Sequence, residues 1–260
     1  MHAKPDLRVF LKWMIAGSGS VITDVITPKL MFDAYRPMLH QMPSDIDGQW
    51  KTVRNFAETW AGEQFPDLGY TEIESASATT GITLGKSMQN WIRLCVSMNS
   101  TGHNLLRDVF TIEPVPGHDA ISLMIQGEGD FYWALRKSDL SNDDPPVVCF
   151  HLDHDNETER FMEAEESFES IVEFAVSHMA WFIHRRGLNF GTHRVSYPEI
   201  VAKLDAEFAH HSKIGKLHVF ESENVIAFVP SRNYLNVTCW EKLGDEQIPP
   251  TVLRIYRGMA

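Results

Sequence analysis

The chain has 260 residues, 43% of them hydrophobic and 22% charged, a globular mixture that excludes a fibrous or disordered polymer and is long enough to bury a core without disulfides or metal. With 23 Lys and Arg against 35 Asp and Glu the formal net charge is -12, which repels phosphate backbones and excludes nucleic acid as an expected partner, while it speeds encounter with a basic protein. Cys95, Cys149 and Cys239 are widely spaced and form neither a disulfide ladder nor a CxxC metal site, so a reducing cytoplasm is the expected compartment.

The apolar stretch from Val9 to Ile15 is interrupted by Lys12 and falls far short of the roughly 20 apolar residues that span a bilayer. Neither a membrane span nor a signal peptide is expected. A helix over Leu7 to Ala16, a break at Gly17-Ser18-Gly19-Ser20 and a second helix over Pro28 to Gln41 read as an N-terminal extension, residues 1–48. Pro43-Ser44-Asp45 breaks the chain before a helix from Gln49 to Ala61, on which Trp50, Val53, Phe56, Ala57 and Trp60 share a face. Residues from Glu63 to Gly81, rich in Ser, Thr and Gly, read as loop or short strand. Ser87 to Met98 is helical, with Met88, Trp91, Ile92 and Cys95 on one stripe.

The pattern then changes to short β-branched and aromatic runs at Val109 to Ile112, Ala120 to Ile125, Asp130 to Leu135 and Pro146 to Phe150. Turns this tight allow only hairpins, so the sheet is expected to be antiparallel. Ser167 is placed as the N-cap of the next helix, where Phe168, Ile171, Val172, Ala175, Met179, Phe182 and Ile183 recur every three or four residues. A final helix over Tyr197 to His210 and strands at Leu217 to Phe220, Val225 to Val229 and Leu235 to Trp240 complete the chain.

Four segments carry residue types suited to chemistry. Gly81-Ile82-Thr83-Leu84-Gly85-Lys86-Ser87 has three residues where a phosphate-binding P-loop needs four, and no apolar strand leads into it, so it reads as the start of a helix. Gly17-Ser18-Gly19 is followed by Ile22 where a dinucleotide fingerprint needs glycine. On a strand, His151, Asp153 and Asp155 would point to one side as ligands for a divalent metal, the basis of an alternative reading as a metal-assisted hydrolase; a solvated connection explains the same run, and His210-His211 is read in the same way. No Gly-x-Ser-x-Gly elbow nominates a nucleophile.

Four further segments occur in an order that resembles one family. Leu84-Gly85-Lys86-Ser87-Met88-Gln89-Asn90-Trp91 is similar to a Leu-Pro-x-Ser-Leu helix start, with Gly85 where Pro is common. Gln126-Gly127-Glu128-Gly129-Asp130-Phe131-Tyr132-Trp133-Ala134-Leu135 is similar to a Glu-Asn-Gln-Gly-x-x-x-Trp strand, Asp143-Asp144-Pro145-Pro146-Val147 to an Asp-Pro-Pro-Val turn, and Glu166-Ser167-Phe168 onward to a closing Ser-Phe helix. Over residues 50 to 182 the chain thus resembles the SUKH superfamily, which includes fungal cell-wall regulators and bacterial immunity proteins.

The resemblance implies an α+β fold with a central antiparallel sheet flanked by helices, a SUKH-like domain over residues 49–186, and a C-terminal α/β extension over 187–260. It also implies a module that binds another protein, with no catalysis, cofactor or metal; in bacterial relatives the partner is commonly a toxin domain, often a basic nuclease. A scaffold that self-associates through its terminal additions is a further alternative. Phe131 and Trp133 alternate with Tyr132, so one face of their strand is expected to bury aromatics and the other to present Tyr132. The expected contact surface is the exposed side of the sheet with its acidic loops: Glu128, Asp130, Tyr132, Asp143, Asp144, Asp153 and Asp155.

Overall fold

The computed structural model describes residues 37–101, 112–126, 129–153, 160–186, 188–194, 199–222, 225–230, 234–239 and 248–257. By contact the chain divides at Asp33, and all of these residues lie in the unit Ala34–Ala260. The fold is mixed α+β. Its described helices are α1 Ile46–Ala61, α2 Tyr70–Thr80, α3 Lys86–Ser100, α4 Ile171–Arg186, α5 Glu199–Glu207 and α6 Pro250–Tyr256. Its strands are β1 Ala120–Gln126, β2 Phe131–Arg136, β3 Val147–Asp153, β4 Arg160–Phe168, β5 Leu188–Arg194, β6 His210–Ile214, β7 Leu217–Glu221, β8 Val225–Val229 and β9 Tyr234–Cys239. They form two sheets, in the orders β1-β2-β3-β4 and β5-β9-β8-β7-β6, antiparallel at every pairing.

The helices α1, α3 and α4 fill the space between the sheets. Asp45 starts α1 by accepting the Gly48 N–H at 2.7 Å, and Trp50, Val53, Phe56 and Ala57 are buried along the stripe their spacing anticipates. On α4, Ile171, Val172, Phe174, Ala175, Val176, Met179 and Ala180 are all buried, as is Glu173, and only Ser177 and His178 are half-buried between Ile171 and Ala180, so this part of the helix is covered on nearly every side. Phe174 meets Trp91 of α3 and Trp133 of β2 at centroid distances of 5.2 and 5.7 Å, while α4 also lies against β5 and β9. Phe56 of α1 packs edge-on to Phe228 of β8. A single buried cluster therefore runs from Leu123, Trp133 and Leu135, through the helices, to Val219, Ile226 and Phe228.

The alternation of β8 makes the layering plain. Ile226 and Phe228 join that central cluster, whereas Val225, Ala227 and Val229 join a second one closed by Ile200 and Leu204 of α5 and Val252 of α6. The outer face of the first sheet carries a third cluster of Val115, Ala120, Tyr132, Ala134, Val148 and Phe150.

Buried carboxylates tie the turns to this core. Glu221 of β7 is fully buried and accepts the backbone N–H groups of Met38, Leu39 and His40 at 2.8 to 3.2 Å. Glu173 of α4 accepts those of Glu169 and Lys216 at 2.6 and 2.7 Å. The latter bond brings the β6–β7 turn so close that a Cβ on Gly215, whose φ is +57°, would stand 2.2 Å from Glu173 Oε2, so this turn requires glycine.

Several sequence expectations need correction. The segment read as loop or strand between Glu63 and Gly81 contains α2, bounded by the left-handed glycines Gly69 and Gly81. Only Ala76 of that helix is buried, so no apolar period announces it, and Thr79 and Thr80 satisfy their hydroxyls on the carbonyls of Ser75 and Ala76. Ser167 and Phe168 end strand β4 instead of starting a helix; α4 begins at Ile171, and the Ser170 hydroxyl accepts the Glu173 N–H. Strands β4, β5 and β6 and helix α6 were not anticipated. The expected helix over Leu7 to Ala16, the break at Gly17 to Ser20, most of the Pro28 to Gln41 helix and the strand over Val109 to Thr111 lie outside the described residues.

His178 of α4 is enclosed by Phe174 and Trp133, and burial lowers its pKa from 6.5 to about 4, against a hydrogen bond to the Phe174 carbonyl that favours the charged form. Between pH 6.5 and about 4 the unfolded chain therefore takes up a proton that the folded chain refuses, and stability falls with pH across that window by up to about 3 kcal/mol. Denaturant titrations are expected to show a shallower acid loss over this range for His178→Gln; equal slopes in the two proteins would contradict the assignment.

Candidate functional site

The acidic residues singled out in the sequence sit at opposite ends of the first sheet. Strands β1 and β3 run toward the end where Asp130 and Asp153 lie, and the Leu152 N–H donates to the Asp130 carbonyl at 2.8 Å across it. Asp153 pairs in register with Arg160. Asp143 and Asp144 lie on the β2–β3 connection, a strand's length of about 20 Å away. Glu128 and Asp155 lie outside the described residues.

Tyr132 points to the outer face, as its alternation anticipated, but it is only 9% exposed and so is not presented to a partner. Phe161 of β4 stands edge-on to its ring at 4.9 Å, and its hydroxyl donates to Glu113. The stretch before β1 also closes this face: His118 lies over Phe150 and bonds the Phe161 carbonyl at 2.8 Å.

Asp144 is committed to the scaffold. It accepts the N–H groups of Ile171 and Val172 at the start of α4, at 3.0 and 3.4 Å, the N-terminal position where a helix favours negative charge. Burial pushes its carboxyl above the ordinary range, opposed by hydrogen bonds from Ser87, Ser170 and the two amides. Ser87 in turn accepts Trp50 Nε1–H at 2.8 Å. One carboxylate thus joins the starts of α3 and α4 to α1.

The same corner disposes of the P-loop likeness. Lys86 pairs with Asp47, Ser87 is fully buried, and a Cβ on Gly85 would meet the Asn142 carbonyl oxygen at 1.8 Å. The Gly85 N–H also donates to Leu140 O at 2.8 Å, so a proline at position 85 would lose a bond as well as clash. A cleft of about 240 Å³ opens beside Asp144, lined by Met42, Gln49, Val172, Lys213 and Gly215 among others. Asp144 already occupies the helix N-terminus that would draw an anion there.

At the first end, Met162 of β4 is 46% exposed and faces His151 across the ladder. His151 and Asp153 share a face of β3, while Asp155, the third proposed metal ligand, lies outside the described residues. Among the described residues no three His, Cys, Asp or Glu side chains gather as a metal site, and no helix among them is long and apolar enough to cross a membrane.

A constellation that the sequence reading missed lies on the second sheet. Asp205 of α5, His211 of β6 and His218 of β7 form a hydrogen-bonded row, with Oδ1 to Nδ1 at 2.6 Å and Nε2 to Nδ1 at 2.9 Å. His211 was read as part of a solvated pair with His210, which instead stacks on His40 at 4.0 Å. The signal was Gly215-Lys216 between two alternating runs, a hairpin that brings His211 and His218 to diagonal positions.

No protein-family model, curated protein or solved structure matches the chain.

Asp144→Ala is expected to cost about 2 kcal/mol, because it removes a helix cap and leaves buried donors unpaired. Asp143→Lys, on an exposed side chain, is expected to change stability by less than about 0.5 kcal/mol. Equal losses in denaturant midpoints for the two variants would refute this division of roles.

Proposed function

We propose that the chain is a non-catalytic module that binds a basic protein through the end of the first sheet that carries Asp130, Asp153 and exposed Met162. The observation that carries this reading is exposed Met162 on the edge strand β4, at the end of the sheet where half-buried Asp130 and Asp153 also lie, while Asp144 at the opposite end caps α4. Methionine is enriched at protein interfaces, whose apolar centre is surrounded by a polar, solvent-accessible rim. The net charge of -12 supports a cationic partner by long-range steering. Likeness of four motifs to the SUKH superfamily supports the same class and suggests a toxin domain, neutralised by covering its active surface.

Photo-crosslinking from position 162 in the native host, followed by titration of the purified partner, tests the proposal. The partner is expected to have a basic contact surface and to bind the Asp130→Lys/Asp153→Lys protein at least about tenfold more weakly than wild type, with Asp143→Lys at the opposite end unaffected. A partner that binds all three proteins equally would overturn it.

A further inference from the structure

The row from Asp205 to His218 bears on a different chemistry and is independent of the partner-binding reading. Asp205 accepts from Nδ1 of His211 at 2.6 Å, which turns Nε2 of the same ring toward His218 Nδ1 at 2.9 Å. One proton lies between those two nitrogens. The His211 ring is held flat against Phe220, 4.3 Å between centroids and 16° between planes, and Phe220 is itself fully buried, so the nitrogen's position is set by the core. Side-chain exposures of 26% for His211 and 58% for Asp205 leave the row open to solvent.

A carboxylate behind an imidazole whose far nitrogen faces a second imidazole is the outer-shell arrangement found at transition-metal sites. Two nitrogens bound to one tetrahedral zinc ion at roughly 2.0 to 2.1 Å stand about 3.3 Å apart, a few tenths of an ångström from the separation seen here. We propose that His211 Nε2 and His218 Nδ1 bind a divalent transition metal, zinc, copper or nickel, with Asp205 orienting His211 and water completing the coordination. On binding, the shared proton leaves the gap and His218 carries its proton on Nε2, so both rings ligate as neutral imidazoles. Lys213, directly across the ladder from His218, opposes the incoming cation; imidazole ligands select for transition metals over calcium or magnesium.

Zinc titration of the full chain without a polyhistidine tag, against a chromophoric chelator at pH 7.5, tests the site. Wild type is expected to bind one equivalent more than His211→Gln or His218→Gln. Asp205→Asn should weaken that equivalent by about 10 to 100-fold, and Lys213→Glu should tighten it. Copper bound at the site should show two nitrogen ligands in its paramagnetic resonance spectrum. Wild type without that equivalent, or histidine variants that retain it, would overturn the proposal; circular dichroism of each variant separates a lost ligand from a lost fold.

Discussion

The structure depends on covering one helix, α4, on all sides at once. Its buried residues from Ile171 to Ala180 include both the set that meets Trp133 and the set that faces the second sheet. An amphipathic helix can rest on one sheet with its polar face in water, but a helix with apolar residues on nearly every side cannot. The two sheets are therefore halves of one core, and the four-stranded sheet alone would leave α4 half uncovered.

Such a core brings polar backbone into places water does not reach, and three carboxylates meet that need. Asp144 satisfies the first amides of α4, Glu173 ties the same helix to the Gly215 turn, and Glu221 holds the turn at Met38 to His40. Each takes a charge out of water, a cost that hydrogen bonds to several amides offset. Acidic residues are thus divided between internal fastening and the sheet end, and the net charge of -12 is not a property of the surface alone.

The elements legible in the sequence are those with an apolar period. Trp50 to Ala57, Met88 to Cys95 and Val225 to Val229 each bury the stripe or run that their spacing marks. Strand β4 escaped because Glu163, Glu165 and Glu166 mask an edge strand whose Phe161 and Phe168 point to opposite faces, and α2 because it buries almost nothing. Side-chain parity was readable for Tyr132, but not the cover that Phe161 and His118 lay over that face, since those contacts join residues 29 or more positions apart in a chain folded on itself. The role of Asp144 was hidden for the same reason: the amides it caps are 27 and 28 residues away.

Native-state hydrogen exchange addresses the shared core most directly. If α4 is the common centre of both sheets, its amides from Phe174 to Ala180 and those of the central strands β2 and β8 should open together, at the free energy of global unfolding. Exchange of β8 at a distinctly lower free energy, with α4 and β2 still protected, would mean that the second sheet is an appendage and would contradict the account.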